Sequence, residues 1–109
     1  MPGPPVPTVE AADVPGDATF VDVREPYEWE AGHIDGALLI PLGELVARLD
    51  DLPDDEIVVV CRSGNRSGRA VAWLVANGFD AANLAGGMKA WAALGRPMVS
   101  DTGEAPAVR

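Results

Sequence analysis

Residues 57–67 set the fold, because an apolar strand pattern there runs directly into a loop of small and basic residues. They read Ile57-Val58-Val59-Val60-Cys61-Arg62-Ser63-Gly64-Asn65-Arg66-Ser67. Consecutive β-branched residues of this kind are typical of a strand at the centre of a parallel sheet, where both faces are buried. A helix pattern follows. We therefore expect Cys61 at the carboxyl end of a buried strand, in a short loop that leads into a helix N-terminus.

Strand and helix patterns alternate along the rest of the chain. Strand patterns occur at residues 20–23 and 37–40, with weaker ones at 8–9 and 82–84. Helix patterns occur at residues 26–31, at 44–49, from 66 or 67 to Asn77-Gly78, and after Gly86-Gly87. The helix after the cysteine loop is predicted to bury Val71, Leu74 and Val75. This alternation predicts an α/β domain with a mostly parallel sheet covered on both faces, and a ligand site beyond the carboxyl ends of its strands.

Length and composition bound the class of protein. The 109 residues are enough for one domain, and 48% of them are apolar, which is sufficient for a core. The proline-rich residues 1–7 and the aperiodic residues 98–109 are predicted to be tails around a domain at 8–97. The net charge of −9 argues against a nucleic-acid partner, because phosphate would be repelled.

The expected compartment follows from what the sequence lacks. No apolar run approaches the roughly 20 residues that cross a bilayer, and the N-terminus has no secretory signal pattern. The single cysteine excludes an intramolecular disulfide, a CxxC redox motif and a cysteine-rich zinc site. We therefore expect a soluble cytoplasmic protein with no membrane contact and no metal site.

The loop after the strand has the composition of an anion site around a thiol. Backbone N–H groups and the helix dipole at a helix N-terminus favour the thiolate of Cys61. Three of the eight basic residues lie within positions 62–69, namely Arg62, Arg66 and Arg69. Ser63, Gly64 and Asn65 allow the backbone to curl into a nest of inward N–H groups, and Gly64 suits a position with positive φ.

These residues also have purely structural interpretations. Cys61 could be a buried small hydrophobic residue, and the arginines could form a solvated helix face. Asp22 interrupts an apolar strand and is predicted to form a salt bridge, with Arg24 or Arg66 as its partner. The pair Gly86-Gly87 could be a phosphate turn, although close passage of the backbone beside the cysteine loop explains the pair better.

Together with several short motifs, the cysteine loop resembles the single-domain rhodanese family. The matching pieces occur in the family's order over about residues 8 to 97: Phe20-Val21-Asp22-Val23-Arg24-Glu25, Tyr27-Glu28-Trp29, Gly32-His33-Ile34-Asp35-Gly36-Ala37, Ile40-Pro41-Leu42, residues 57–67, Asn77-Gly78-Phe79, and Asn83-Leu84-Ala85-Gly86-Gly87-Met88-Lys89-Ala90-Trp91. Asp35 stands where many members carry Pro, in a turn without catalytic consequence. The resemblance implies a rhodanese fold, with a five-stranded sheet flanked by helices.

The resemblance also implies sulfurtransferase chemistry. Cys61 would become a persulfide, cradled by the backbone amides of the six-residue loop 61–66, and Ser67 would complete the site. Four further residues would support the loop: Asp22, Arg24, Gly86 and Gly87. The donor would be thiosulfate or a persulfide, and the acceptor cyanide, a thiol or a sulfur-relay protein. No metal or organic cofactor is required, and the Ala-rich composition hints at a bacterial source.

Two other functions stay open on the sequence alone. Cys-dependent phosphatases and arsenate reductases use a related loop, but their Arg follows the nucleophilic Cys with five residues between. Here Ser67 occupies that position and Arg66 comes one residue earlier. The other alternative is a non-enzymatic rhodanese-like binding or sulfur-carrier module. Such modules usually lack the cysteine, whereas Cys61 is present.

Overall fold

The computed structural model describes residues 6–109, which form one sheet with helices on both of its faces. The five strands of these residues are β1 (Thr8–Glu10), β2 (Thr19–Asp22), β3 (Leu38–Leu39), β4 (Ile57–Val60) and β5 (Ala81–Ala85). The α-helices are α1 (Pro26–Ala31), α2 (Asn65–Ala76) and α3 (Gly87–Ala93), and two 3₁₀ segments span Leu42–Glu44 and Val46–Asp51. Among the same residues, no helix combines the length and the apolar character that a bilayer crossing requires.

The sheet of the described residues is parallel throughout. Its strand order is β1-β5-β4-β2-β3, which puts β4 between β5 and β2 and leaves β1 and β3 at the edges. The central place of β4 follows from its sequence, because all of its residues are apolar and buried. The predicted α/β fold with a five-stranded parallel sheet is confirmed.

Alternate residues of β4 enter two different cores. Ile57 and Val59 pack in the core on the α2 side of the sheet, whereas Val58 and Val60 pack in the core on the α3 side. Burial of each such side chain contributes about 1.5–3 kcal/mol relative to exposure. The strand that leads into the cysteine loop is therefore held on both faces, and this gives the loop a rigid base.

Helix α2 begins at Asn65, one or two residues before the start predicted at 66 or 67, and buries a stripe at helical spacing. Its buried residues are Ser67, Ala70, Val71 and Leu74. Burial of Val71 and Leu74 was predicted and is confirmed, but the prediction for Val75 is wrong, because that residue is 42% exposed. A stripe at positions i, i+3, i+4 and i+7 that starts at Ser67 turns Val75 towards solvent.

The predicted helix at residues 44–49 is two 3₁₀ segments instead of a regular α-helix. Arg48 has φ −117° and ψ 26°, values that break the second segment with a kink. Leu45 is buried and Leu49 packs against the same core. Val46, the third apolar residue of this pattern, is 65% exposed, so the apolar spacing indicates the core contacts only in part, and the backbone follows a tighter and less regular path.

The ends of the described chain are tied to the rest of the domain. The carbonyl of Pro7 accepts an amide N–H from β5 at 2.7 Å. Val99 pairs with His33 in an antiparallel bridge, and the amide of Ala107 donates to the carbonyl of Ala31 at 2.9 Å. Residues 98–109 therefore pack against the end of α1. Of the proline-rich tail predicted at 1–7, residues 1–5 lie outside the described part of the chain.

Candidate active site

Cys61 follows the last residue of β4, and its sulfur lies inside the turn that leads into α2. The residue is 2% exposed. The amide of Gly64 donates to Cys61 Sγ at 3.0 Å, so the loop curls back onto the thiol. Gly64 has φ +100°, in the left-handed region that favours glycine, as the sequence predicts for one loop position. The loop thus presents at least one backbone donor to the sulfur.

The N-terminus of α3 holds the outer side of the same loop. The amides of Met88 and Lys89 donate to the carbonyls of Cys61 and Arg62, at 2.8 and 3.0 Å. A Cβ on Gly87 would lie 2.7 Å from the Arg62 carbonyl carbon and would overlap the Cys61 carbonyl oxygen. Glycine therefore permits the close passage beside the loop that the sequence favours. Because these carbonyls are turned towards α3, the following amides are free to face the sulfur.

These donors decide the ionisation of the thiol. Burial raises the pKa of Cys61, whereas hydrogen bonds to Sγ from the Ser67 hydroxyl and from the amides of Ser67, Gly64 and Ser63 lower it. The hydrogen bonds outweigh burial, so the pKa lies below its ordinary value of 9.0. The nucleophilic thiolate is therefore a larger fraction of Cys61 near neutral pH than of a free cysteine.

A small polar network underlies the loop. Ser67 is fully buried, and its Oγ lies 3.2 Å from Cys61 Sγ and within hydrogen-bond distance of Asn83 Oδ1. Asn83 Nδ2 donates to the carbonyl of Gly64 at 3.1 Å. The side chain of Asn83 in β5 thus contacts the loop at Gly64 and the first turn of α2 at Ser67. The sequence places Asn83 in a weak strand and in a family-like motif, but nothing local marks it as a partner of the cysteine loop.

The guanidinium of Arg66 binds a carboxylate from another element. Its Nη1 and Nη2 donate to Oε1 and Oε2 of Glu28 at 2.8 Å each, a bidentate geometry. The Glu28 side chain is 4% exposed and that of Arg66 is 30% exposed. Glu28 also accepts the amide of Glu25 at 3.0 Å, at the start of α1. The positive charge predicted around the thiol is therefore partly offset, and an anion contact by Arg66 stays a prediction.

The ion pair shifts the pKa of both partners. Hydrogen bonding to Arg66 holds the pKa of Glu28 below its ordinary value, against the opposing effect of burial. The pKa of Arg66 is raised, chiefly by its hydrogen bonds to Glu28 and less by the charges of Glu28 and Cys61. Both groups are therefore charged at neutral pH. The Ser67 hydroxyl and the loop amides, rather than Arg66, account for the lowered pKa of Cys61.

The predicted salt bridge of Asp22 forms with Arg24. Both side chains are fully buried, and Arg24 Nη2 lies 2.8 Å from Asp22 Oδ2. The same Nη2 donates to the carbonyl of Gly32 at 2.8 Å. The pair thus ties the end of β2 to the end of α1. The side chains of this pair bind each other and the backbone, and both residues hold the scaffold of the site.

Residues 9–94 match the sequence pattern of the rhodanese-like domain. The chain belongs to the rhodanese-like family. A sulfurtransferase of Allochromatium vinosum is 40% identical over 89 residues, which cover 80% of this chain and 83% of that protein. Other curated relatives are longer, and the chain spans 60% or less of their length.

Solved structures give the same family. A rhodanese-related protein from Thermoplasma volcanium is 35% identical with a TM-score of 0.81, over 85% of this chain and 97% of that one. The NAD-dependent persulfide reductase from A. fulgidus is 36% identical with a TM-score of 0.68, over 78% of this chain and 16% of that one. The rhodanese-like fold and a place in a family that includes sulfurtransferases are therefore established for this chain.

Within this rhodanese-like domain, the remaining loop residues lie at the surface. Arg62, Ser63 and Asn65 are exposed. Two surface cavities of about 660 Å³ each are lined by residues of other segments, such as Val14 and Glu56 in one and Phe79 in the other, and neither includes a residue of the loop. The candidate site is thus a turn of backbone around one sulfur atom, and it lies outside both of these cavities.

Proposed function

We propose that this rhodanese-like domain is a sulfurtransferase. It would move a sulfane sulfur from thiosulfate or a persulfide to a thiophilic acceptor through a persulfide on Cys61. The observation that supports it best is the 3.0 Å contact from the Gly64 amide to Cys61 Sγ, within a loop that lowers the pKa of the thiol. The sulfurtransferase name of the Allochromatium vinosum relative supports the same reaction class.

In the first half-reaction, the Cys61 thiolate attacks the outer sulfur of thiosulfate. The new bond joins Sγ to that sulfur, the sulfur–sulfur bond of thiosulfate breaks, and sulfite leaves with the electron pair. The thiolate carries one negative charge and thiosulfate carries two. The products are a persulfide anion with one negative charge and sulfite with two, so the total charge is conserved. The loop amides then stabilise the persulfide anion as they stabilise the thiolate.

In the second half-reaction, a nucleophile attacks the terminal sulfur of the persulfide. Cyanide yields thiocyanate, and a thiolate yields its own persulfide; either product restores the Cys61 thiolate. We propose a small thiol or a sulfur-relay protein as the physiological acceptor. The exposed position of Arg62 in the loop would favour contact with such an acceptor. A reducing compartment such as the cytoplasm suits a mechanism that depends on a free thiol.

The residues around Cys61 have separate proposed roles. The amides of Ser63, Gly64 and Ser67 bind the sulfur anion, while Arg66 supplies charge that Glu28 orients. Ser67 also disfavours a phosphatase reaction. It stands where such an enzyme needs Arg, and it is a buried small residue in contact with the sulfur.

Mass spectrometry after incubation with thiosulfate tests the proposal. We expect one added sulfur on the Cys61 peptide, and cyanide should remove it with release of an equal amount of thiocyanate. Cys61→Ser should show neither event while it unfolds at a similar urea concentration. Failure to load sulfur on a Cys61 that iodoacetamide still alkylates would contradict the proposed function.

A further inference from the structure

The Ser67 hydroxyl has two acceptors within reach but only one hydrogen. Its Oγ lies 3.2 Å from Cys61 Sγ on one side and is hydrogen-bonded to Asn83 Oδ1 on the other. A serine hydroxyl donates one hydrogen bond at a time. It therefore cannot donate to the sulfur and to Asn83 at the same time. The protonation state of Cys61 determines which of the two accepts the hydrogen bond.

The amide group of Asn83 has a defined orientation. Nδ2 donates to the Gly64 carbonyl at 3.1 Å, so Oδ1 is the atom that faces Ser67. A flipped amide would set Oδ1 against that carbonyl, oxygen against oxygen. The Gly64 carbonyl also accepts the Gly68 amide at 3.0 Å, so it keeps a partner in α2 if Asn83 is removed. Oδ1 is thus held as an acceptor beside the Ser67 hydroxyl.

We propose that Asn83 is a positioning residue that controls the direction of the Ser67 hydroxyl and thereby the ionisation of Cys61. When the thiol is protonated, S–H points to Ser67 Oγ, and Ser67 O–H donates to Asn83 Oδ1. When the proton leaves for solvent, Ser67 O–H turns to the thiolate, and Asn83 Oδ1 loses this donor. Asn83 therefore stabilises the resting thiol, and Ser67 stabilises the reactive thiolate.

This inference deepens the proposed function, because it names the residues that prepare the nucleophile for attack. Asn83 is only partly buried, and we expect a water molecule to replace the lost donor in the thiolate state. Such a water would spare the thiolate form the cost of an unpaired oxygen. The Ser67 hydroxyl thus donates either to Asn83 Oδ1 or to Cys61 Sγ, and the charge of the sulfur determines which of the two accepts.

Charged groups lie on the loop and on the elements around it. They are Arg62 in the loop, Arg66 in α2, Glu28 in α1, the Asp22–Arg24 pair of β2 and Lys89 in α3. Four of these residues form two ion pairs, Arg66 with Glu28 and Arg24 with Asp22, so their charges largely cancel. None of these groups forms a hydrogen bond with the Asn83 side chain, whose partners are the Ser67 hydroxyl and the Gly64 carbonyl, so we expect substitution of Asn83 to leave them in place.

The pH dependence of Cys61 alkylation by iodoacetamide tests the inference in the full chain. Asn83→Leu keeps the approximate size but removes the acceptor, so Ser67 O–H can donate to the sulfur in both states. We expect alkylation below the midpoint to be about two- to tenfold faster, with the midpoint at lower pH. Ser67→Ala removes the donor and should move the midpoint to higher pH.

The double variant separates this role from a structural one. In the Ser67→Ala background, Asn83→Leu should leave the midpoint unchanged, because the hydroxyl that transmits its effect is absent. A midpoint that rises in Asn83→Leu, or an effect of equal size in both backgrounds, would show that Asn83 only anchors the loop and would overturn the inference. Asn83→Ala removes the same polar atoms and serves in place of Asn83→Leu if that variant does not fold.

Asn77→Ala is the matched control. Asn77 also donates through Nδ2 to a backbone carbonyl, that of Trp73 at 2.8 Å, but it lies at the far end of α2 from Cys61. Its substitution should leave the midpoint unchanged. Alkylation does not require sulfur transfer, so the assay reports on Asn83 even if thiosulfate loads no sulfur on Cys61. The two failures are therefore distinguishable.

Discussion

The guanidinium of Arg66 and the carboxylate of Glu28, 38 residues apart in the chain, form two hydrogen bonds of 2.8 Å directly beside the cysteine loop. The pair joins the first turn of α2 to α1. Arg66, the middle one of the three arginines at positions 62–69, is therefore paired with a carboxylate. Substitution of either partner should therefore change both the charge at the loop and its position.

Removal of Arg66 should weaken donor binding more than it slows sulfur transfer. Arg66→Ala leaves Glu28 buried and unpaired near the sulfur, where its charge repels thiosulfate. We expect the KM for thiosulfate to rise about tenfold with a smaller fall in kcat, in steady-state thiocyanate assays. Glu28→Gln frees the guanidinium and should lower the KM. An Arg66→Ala protein with a wild-type KM would refute a role for this charge in anion binding.

Transfer activity should follow the lowered pKa of Cys61. The value of kcat/KM with thiosulfate should rise with pH as the thiolate forms, with its midpoint below pH 9.0, the ordinary pKa of cysteine. Measurement of initial rates across this range checks the expectation. A midpoint at or above pH 9.0 would contradict the stabilisation of the thiolate by the loop amides.

The same pKa shift predicts a pH-dependent contribution to stability. The folded state releases the Cys61 proton more easily than the unfolded state, whose thiol titrates near 9.0. The thiolate therefore adds stability that is fully present above pH 9.0 and is lost as the pH falls through the lowered pKa. Urea unfolding of wild type and Cys61→Ser should show a larger difference at alkaline pH than at acid pH. A difference that does not vary with pH would count against the shift.

Gly87→Ala should destabilise the domain and displace the loop. Alanine at φ +58° is strained, and its Cβ would overlap the Cys61 carbonyl oxygen. Backbone strain alone costs about 1–3 kcal/mol, and the overlap adds to it. Gly36→Ala is the control, because it has φ +83° but open space around the added Cβ. If both variants lose equal stability in urea unfolding, the close approach of α3 to the loop has no energetic importance.

Arg24→Ala should be among the most destabilising single changes. It leaves the fully buried carboxylate of Asp22 unpaired, a loss of about 3–5 kcal/mol in the free energy of unfolding. Arg48→Ala is the matched control, since Arg48 pairs with Glu44 and Asp51 at the surface. That variant should unfold at nearly the wild-type urea concentration. Comparable losses in the two variants would refute the structural role of the buried pair.

Local sequence patterns predict those strands and turns whose conformation depends on residues close together in the chain. The run 57–60 predicts a central strand, because four β-branched residues in a row bury well only where both faces of a sheet are covered. The glycine at position 64 predicts the left-handed turn, and Gly87 predicts close backbone passage. The order of strands and helices then brings Cys61 to the carboxyl edge of the sheet.

Long-range partners and exact helix faces are not predictable in the same way. Glu28 and Asn83 belong to the site because tertiary packing brings α1 and β5 against the loop. Their neighbours in the sequence do not indicate the contacts with Arg66 and Ser67. The helical spacing of Val75 from Val71 predicts burial, but Val75 is 42% exposed. Whether it is buried depends on the rotation of α2 against the sheet, which only the packed structure determines.

The bridge between His33 and Val99 and the amide contact of Ala107 make residues 98–109 an outer brace for α1. The family pattern ends at residue 94, so a protein trimmed to that pattern would keep Cys61 and its amides but lose this brace. Since α1 carries Glu28, the charge balance beside the sulfur depends in part on a segment that contains none of the residues in the cysteine loop.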